Sequence, residues 1–283
     1  MDQGPGGLDA VALRWGAATH TGARRTLNED RFLAGSLAFF VADGMGGHEA
    51  GEVASATAIE VLAPLAAGLT DARDGAAAAD VERLLAAAHD QVSAIVTVPG
   101  REAGTTVSGV VLADQGGVPY WLVVNLGDSR TYLMASGDLE QVSVDHSEVQ
   151  ELLEAGMITA LETRTHPRRH VVTRALGPGA PSRADYWFVP VSDGDRVLVC
   201  SDGLTGELDD DQIARVLLEV PDAQAAADRL VREALAAGGR DNITVVIVDA
   251  ATQGGEQTAP RLPAAGTDED TRPRDEALAG GER

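Results

Sequence analysis

Apolar and polar positions along the chain repeat with two periods, and the change from one to the other marks out the elements. Alternating stretches and short apolar runs bounded by turn residues predict strands at 11–19, 37–42, 105–113, 119–126, 130–135, about 139–144, 185–190, 196–201 and 243–249. Another short strand follows the polar loop GARRTLNED, residues 22–30. Helical spacing takes over after residue 52, where Val53, Ala54, Ala58, Val61, Leu62 and Leu65 share one face. The stripe Val81, Leu84, Leu85, Ala88, Val92 and Ile95 predicts a second helix over 80–96, with 68–79 as a flexible link. Residues 147–161 predict a helix broken at Gly156, and 210–220 and 223–237 predict two more.

The hinges 114–117, 127–129 and 136–138 carry the turn chemistry that joins antiparallel strands, so 105–144 reads as an antiparallel meander. Two helices in sequence with strands on either side place a helical layer on a sheet, which makes the class α+β. Near residue 251 the periodicity stops. Residues 251–283 are Gly, Pro, Ala, Thr and charge, and are expected to form a disordered tail behind a domain spanning 9–250.

Charge narrows the partners. The 283 residues include 22 basic side chains, all arginine, against 44 acids, for a formal net charge of -22. Such a surface repels phosphate backbones and anionic lipid, so nucleic acid is not an expected partner. The single Cys200 excludes a disulfide within the chain and suits a reducing compartment. No run approaches the ~18 apolar residues of a membrane span, and the N-terminus lacks the pattern of a signal peptide. A cytoplasmic protein is expected.

Candidate chemistry centres on FFVADGMGGHEAG, residues 39–51. An apolar strand delivers Asp43 into a glycine-dense turn, where bare backbone lets the Asp43 carboxylate and the Gly44 carbonyl face one hard cation. The arrangement recurs: Asp128 follows the strand 119–126, Asp202 follows 196–201, and Asp241 stands just before 243–249. If the last two strands lie antiparallel, the end of one meets the start of the other at one sheet edge, and the four carboxylates converge. Like-charge repulsion in such a cluster is relieved by divalent cations, and oxygen-only ligands favour Mg²⁺ or Mn²⁺. The acids in LDDDQ sit at a predicted helix start and read as caps. One basic island, RTHPRRH at 164–170, stands out in this acidic chain.

These motifs resemble the metal-dependent serine/threonine protein phosphatases of type 2C in their compact bacterial form. The resemblance runs through RTLNED (25–30), VADGMGGHEAGE (41–52), GTT (104–106), NLGDSR (125–130), DHS (145–147), GMIT (156–159), HPRRHVVTRALG (166–177), CSDGL (200–204) and GRDNITVVIV (239–248). It covers nearly all of 11–250 in the family's order. It implies a four-layer αββα sandwich of two antiparallel sheets flanked by helix pairs, with a small flap at 147–174. It also implies two Mn²⁺ or Mg²⁺ ions bridged by Asp43 and held further by the Gly44 carbonyl, Asp202 and Asp241. Glu29 and Asp30 act largely through bound water, and Asp128 supplies a third metal position.

By the same resemblance Arg25 holds the substrate phosphate, while its neighbour Arg24 does not. Longer-loop members of the family carry His directly after the DG; Met45 stands there in this chain, so the acid role passes to the nearest histidine, His48. The implied activity is hydrolysis of phosphoserine and phosphothreonine in proteins by a metal-activated water, without a covalent intermediate, opposing serine/threonine kinases. The basic island gives Arg168 and Arg169 to substrate choice. A monomer is expected. The competing reading is a catalytically inactive binding module of the same fold. A cysteine phosphatase fits less well, because no arginine follows Cys200 to cradle phosphate.

Overall fold

Most of the strands are apolar on both faces, so each sheet must be covered twice, once by the other sheet and once by helices. The computed structural model, which describes residues 7–46, 49–67, 76–97, 102–177 and 179–252, has that arrangement. The first half runs β1 (Val11–His20), β2 (Asp30–Ala34), β3 (Ala38–Met45), α1 (Glu49–Leu62), α2 (Ala76–Ser93), β4 (Gly104–Thr105), β5 (Val107–Gln115) and β6 (Val118–Leu126). Then follow β7 (Arg130–Ala135), β8 (Asp138–Gln141), α3 (Glu148–Glu154), α4 (Ala160–Thr163) and β9 (Asp185–Pro190). The chain continues through β10 (Arg196–Cys200), α5 (Asp202–Thr205), α6 (Asp210–Glu219), α7 (Ala223–Ala237) and β11 (Ile243–Thr252).

One sheet has the order β1-β11-β10-β7-β8 and the other β2-β3-β5-β6-β9, with β4 paired to β3; every pairing is antiparallel. Alternation along β3 shows how the layers form. Phe39 and Val41 point into the core between the sheets, with Val110, Trp121, Val123, Val199 and Val246. Phe40, one residue out of phase, points the other way, under α1 and α2 with Leu62, Val81 and Leu85. On the far side Leu198, Val245 and Ile247 meet Ile213, Leu217 and Leu230 of α6 and α7. The αββα sandwich expected from the resemblance is therefore present, and three apolar cores stack across it.

The acids of LDDDQ do serve as helix starters. Asp209 caps α6 in a reciprocal capping box with Gln212, and Asp222 accepts from the Ala225 N–H at the start of α7.

Residues 105–144 do not form one meander. β5 pairs with β6 in one sheet and β7 with β8 in the other, and no ladder joins β6 to β7. The turn at 127–129 instead carries the chain across the sandwich. Gly127 makes the crossing with φ 119°, and a Cβ there would meet the Thr106 side chain at 2.5 Å. Alternation specifies which residues face inward; it does not specify which sheet a strand joins, so a crossing between sheets carries the same pattern as a turn within a meander.

Smaller differences have local causes. Gly156, at φ 67°, does end the helical run, leaving α3 and the separate turn α4. The last strand runs on to Thr252, because β1 supplies partners as far as Val11↔Thr252. The expected tail otherwise lies outside the described residues, as does most of the link 68–79. No helix among the described residues is long and apolar enough to cross a membrane.

Candidate active site

At one end the inter-sheet core gives way to carboxylates. Two residues beyond Val41 on the same face of β3 stands Asp43, and its cross-strand partner on β2 is Asp30, two residues before Phe32. Directly opposed residues on an antiparallel pair share a face, and like charges there are destabilising. β10 and β11 run antiparallel, with Cys200 opposite Val245 and the Ser201 N–H donating to the Thr244 carbonyl. Asp202 therefore leaves β10 beside the point where Asp241 enters β11. The crossing at Gly127 brings Asp128 to the same end.

All four strand-end aspartates line one cavity of about 610 Å³, together with Arg25, Glu29 and Gly44. Asp30 sits behind the wall, 2% exposed, with its Oδ2 accepting from the Ser201 hydroxyl at 2.8 Å. Arg25 reaches in from the loop before β2 and donates to Asp241 at 2.7 Å, with Glu29 at 4.0 Å. Arg24 does not reach the cavity. A side chain on Gly44 would meet the Gly51 carbonyl at 2.1 Å and that of Glu29 at 2.7 Å, so only glycine fits there.

The electrostatics of this cluster are unfavourable in the bare protein. Burial, followed by the charges of Asp30, Asp202, Asp128 and Asp241, holds the Asp43 carboxyl well above its ordinary pKa. Burial also lifts Asp30 to about 7, against hydrogen bonding that favours its ionised form. Asp128 is raised in the same way, by burial and then by Asp202 and Asp145. Glu29 Oε1 and Asp30 Oδ1 are buried with no hydrogen-bond partner. Acceptors without donors, in a pocket of mutually repelling oxygens, fit a hard divalent cation. No three acidic, histidine or cysteine side chains among the described residues close on a single point. The oxygens instead face a roomy cavity, which suits an ion that keeps several waters.

The hydrogen bonds that fix the carboxylates come from residues that sequence reasoning gave no role. Thr106 Oγ1 accepts from the Asp43 N–H at 3.0 Å and meets Ser129 Oγ at 2.8 Å, tying β3 to the Asp128 turn. Asn242 accepts from the Glu29 N–H at 2.8 Å and donates to the carbonyls of Thr21 and Leu27, so β11 holds the loop that presents Arg25 and Glu29. Arg240 lines the cavity and grips Glu207 through both its backbone N–H and its guanidinium. Adjacency to a chemical aspartate was the available signal, since Asn242 and Arg240 flank Asp241 and Ser201 precedes Asp202.

Of the predicted substrate residues, Arg169 lines the cavity, as does His170, whose Nδ1 lies 3.5 Å from Asp202. Arg168 does not line it; its guanidinium pairs with Glu148 at the start of α3. His48 falls outside the described residues. Cys200 is wholly buried under α6 and α7, and burial pushes its thiol up to about 12, which removes it from any nucleophilic role.

The family model for protein phosphatase 2C matches residues 19–237, which includes Glu29, Asp43, Asp128 and Asp202 of the cavity and stops four residues before Asp241. The chain belongs to the protein phosphatase 2C family. Within that family it is 37% identical over 262 residues to the serine/threonine protein phosphatase PstP of Mycobacterium tuberculosis, an alignment covering 92% of this chain and 49% of PstP. The chain thus spans about half the length of that relative. It is 34% identical over 215 residues to the serine/threonine phosphatase stp of Listeria monocytogenes, covering 74% of this chain and 82% of the relative.

Solved structures of the protein phosphatase 2C type agree with the sandwich. The crystal structure of the M. tuberculosis PstP/Ppp phosphatase superposes with a TM-score of 0.74 at 38% identity, over 84% of this chain and 98% of that one. A structure of the PstP catalytic domain in complex with two manganese ions gives a TM-score of 0.76 at 35% identity, over 85% and 99%.

Proposed function

We propose that this chain is a metal-dependent protein phosphatase that hydrolyses phosphoserine and phosphothreonine. The observation that carries the reading is the single cavity in which Asp43, Asp128, Asp202 and Asp241 face Arg25. In this reading Asp43, Asp202, Asp241 and the Gly44 carbonyl hold two Mn²⁺ or Mg²⁺ ions, Glu29 and Asp30 support them through water, and Asp128 offers a third position. Ions bound there supply an acidified water and neutralise charge on the phosphoryl group. PstP, whose catalytic domain binds two manganese ions, supports that choice of metal.

The chain's own residues do the rest. Arg25, steered by Asp241, presents a guanidinium fork to the phosphoryl oxygens. Asn242 and Ser55 fix the loop that aims it, by holding the Glu29 N–H and carbonyl. Asp43 is held by Thr106 through its backbone N–H, so its carboxylate is left for the ions. His48 is kept as the candidate proton donor to the leaving group. Because the carboxylate set is complete, the inactive-module reading has nothing in its favour.

We take 9–250 as the catalytic domain and 147–174 as its flap, with Arg169 as a substrate contact. All the groups named lie in one chain, so a monomer is sufficient. The opposing enzymes are serine/threonine kinases acting on the same cytoplasmic phosphoproteins. The deciding experiment is phosphate release from a phosphothreonine peptide with Mn²⁺ and with excess chelator. Turnover is expected only with metal, and full turnover in chelator would remove the metal reading.

Arg25→Ala should lower kcat/KM for that peptide by about 10- to 100-fold, the range of one lost charge-assisted bidentate contact. Arg24→Ala should change it by less than about twofold, since Arg24 does not reach the cavity. Equal losses from the two variants would show that the wrong arginine has been placed on the phosphate.

A further inference from the structure

A second pocket, of about 350 Å³, opens beside the first, between the flap and the sheet edge at α5. The two share Asp128, Arg169, His170 and Asp202, so a chain leaving the first cavity can enter the second directly. Val149 and Leu153 of α3 and Ala160 of α4 form its apolar wall, and Arg164 stands on its rim.

The charges of this pocket are unevenly committed. Both oxygens of Asp145 are taken by Arg130, which donates from Nε at 2.9 and 3.0 Å and from Nη2 at 2.7 Å, and Gln141 adds a further bond. Asp210 accepts from the Tyr132 hydroxyl at 3.1 Å. Of the flap's own acids, Glu148 is engaged with Arg168, Glu154 with Gln150 and Glu162 with Thr159, while Glu151 is exposed and does not line the pocket. Asp128 and Asp202 line both pockets and belong to the proposed metal set. Arg164 and Arg169 are left with no acidic partner among the described residues. In a chain of net charge -22, two guanidinium groups without an acidic partner on one pocket are an unusual concentration of unneutralised positive charge.

We infer that this pocket is a substrate subsite, in which Arg164 and Arg169 receive an acidic side chain of the phosphopeptide a few residues from the phosphorylated one. The inference rests on the phosphatase reading for its substrate and adds a preference to it. Extended peptide spans about 3.3–3.6 Å per residue, so adjoining pockets are reached within a few positions. A carboxylate or a second phosphate matches the planar fork of arginine, and the apolar wall packs the stem of a glutamate. A basic side chain would meet two arginines, while the acids lining the pocket are either hydrogen-bonded (Asp145, Asp210) or belong to the proposed metal set (Asp128, Asp202), so discrimination comes from repulsion as well as attraction.

Arg164 is exposed at the end of the short α4, so its replacement leaves the cores intact. Phosphothreonine peptides carrying Asp, Ala or Lys at each of the three positions on either side would be assayed with Mn²⁺, alongside a small aryl phosphate. At one position Asp should exceed Lys by about tenfold or more in kcat/KM, and Arg164→Glu should invert that order while reducing aryl phosphate hydrolysis far less. The same peptides, labelled and titrated by fluorescence anisotropy, judge the pocket independently of turnover. Acid-selective binding that Arg164→Glu abolishes supports the subsite even where no phosphate is released, and that combination would sink the phosphatase reading alone. Absence of acid selectivity at every position, or selectivity that survives Arg164→Glu, overturns the subsite.

Discussion

Asp43→Asn is expected to lower phosphate release from a phosphothreonine peptide by at least about a thousandfold, roughly 4 kcal/mol of transition-state stabilisation, while making the chelated domain harder to unfold. Both effects have one cause. The Asp43 carboxylate is half-buried among the charges of Asp30, Asp202, Asp128 and Asp241, and its pKa is raised by desolvation and then by that repulsion. The arrangement is strained without metal and is the proposed bridge with it. Asparagine keeps the shape and the backbone bonds to Thr105 and Thr106 but removes the charge. The apo protein loses a repulsion and gains stability, and a shift in Tm of about 2–4 °C per kcal/mol is the scale for a domain of this size. Calorimetric titration with Mn²⁺ should show the tight binding gone. Undiminished turnover, or a variant less stable than wild type in chelator, would place Asp43 among residues that only shape the turn.

How far the sequence discloses this site depends on what local patterns encode. An Asp beside the end or the start of an apolar strand is visible without a structure, and the four of them, three at strand ends and Asp241 before its strand, do line one cavity. The pairing that brings Asp202 to Asp241 follows from an antiparallel β10 and β11, which could be posed from sequence as a condition. The crossing of the chain at Gly127 could not be read in this way, because a strand that changes sheet keeps the same alternation as one that stays. The basic island was equally plain as composition, but which of its arginines is free is set by a pairing across the flap. Arg168 is neutralised by Glu148, twenty residues earlier in the sequence, and nothing near Arg168 signals it. The same holds for Thr106 and Asn242, whose hydrogen bonds act on backbone far away in the chain.

In chelator, the domain should melt at its highest temperature near pH 5 and lose stability as the pH rises to about 7.5, and Mn²⁺ should restore most of the loss. Asp30 titrates at about 7 when folded, against an ordinary 3.8, chiefly because burial disfavours its charge. A carboxyl with a higher pKa folded than unfolded binds its proton more tightly in the folded chain. The stabilisation is therefore fully present below the unfolded pKa near 4 and is lost as pH climbs through the folded value near 7. For Asp30 the whole span is roughly 4 kcal/mol at most, and Asp43 and Asp128 are shifted in the same direction. The three carboxyls lie in one another's field, so losing one charge eases the others, and the set contributes less than three separate shifts would. His146 works in the opposite sense. Burial lowers its pKa, and its Nδ1 accepts from the Gly127 N–H at 3.1 Å, so its contribution grows as pH rises toward its unfolded value near 6.5. One histidine offsets only part of the carboxylate slope. Millimolar Mn²⁺ at about a hundred times its dissociation constant adds roughly 2.7 kcal/mol, and does so at pH 7.5 more than at pH 5, where protons hold the same oxygens. Asp30→Asn should flatten the chelated profile between pH 5 and 7.5 in differential scanning calorimetry. A chelated wild-type profile that is level or rising over that interval would mean that the carboxylates are not in mutual conflict, and the case for a metal centre built on relieving it would fall.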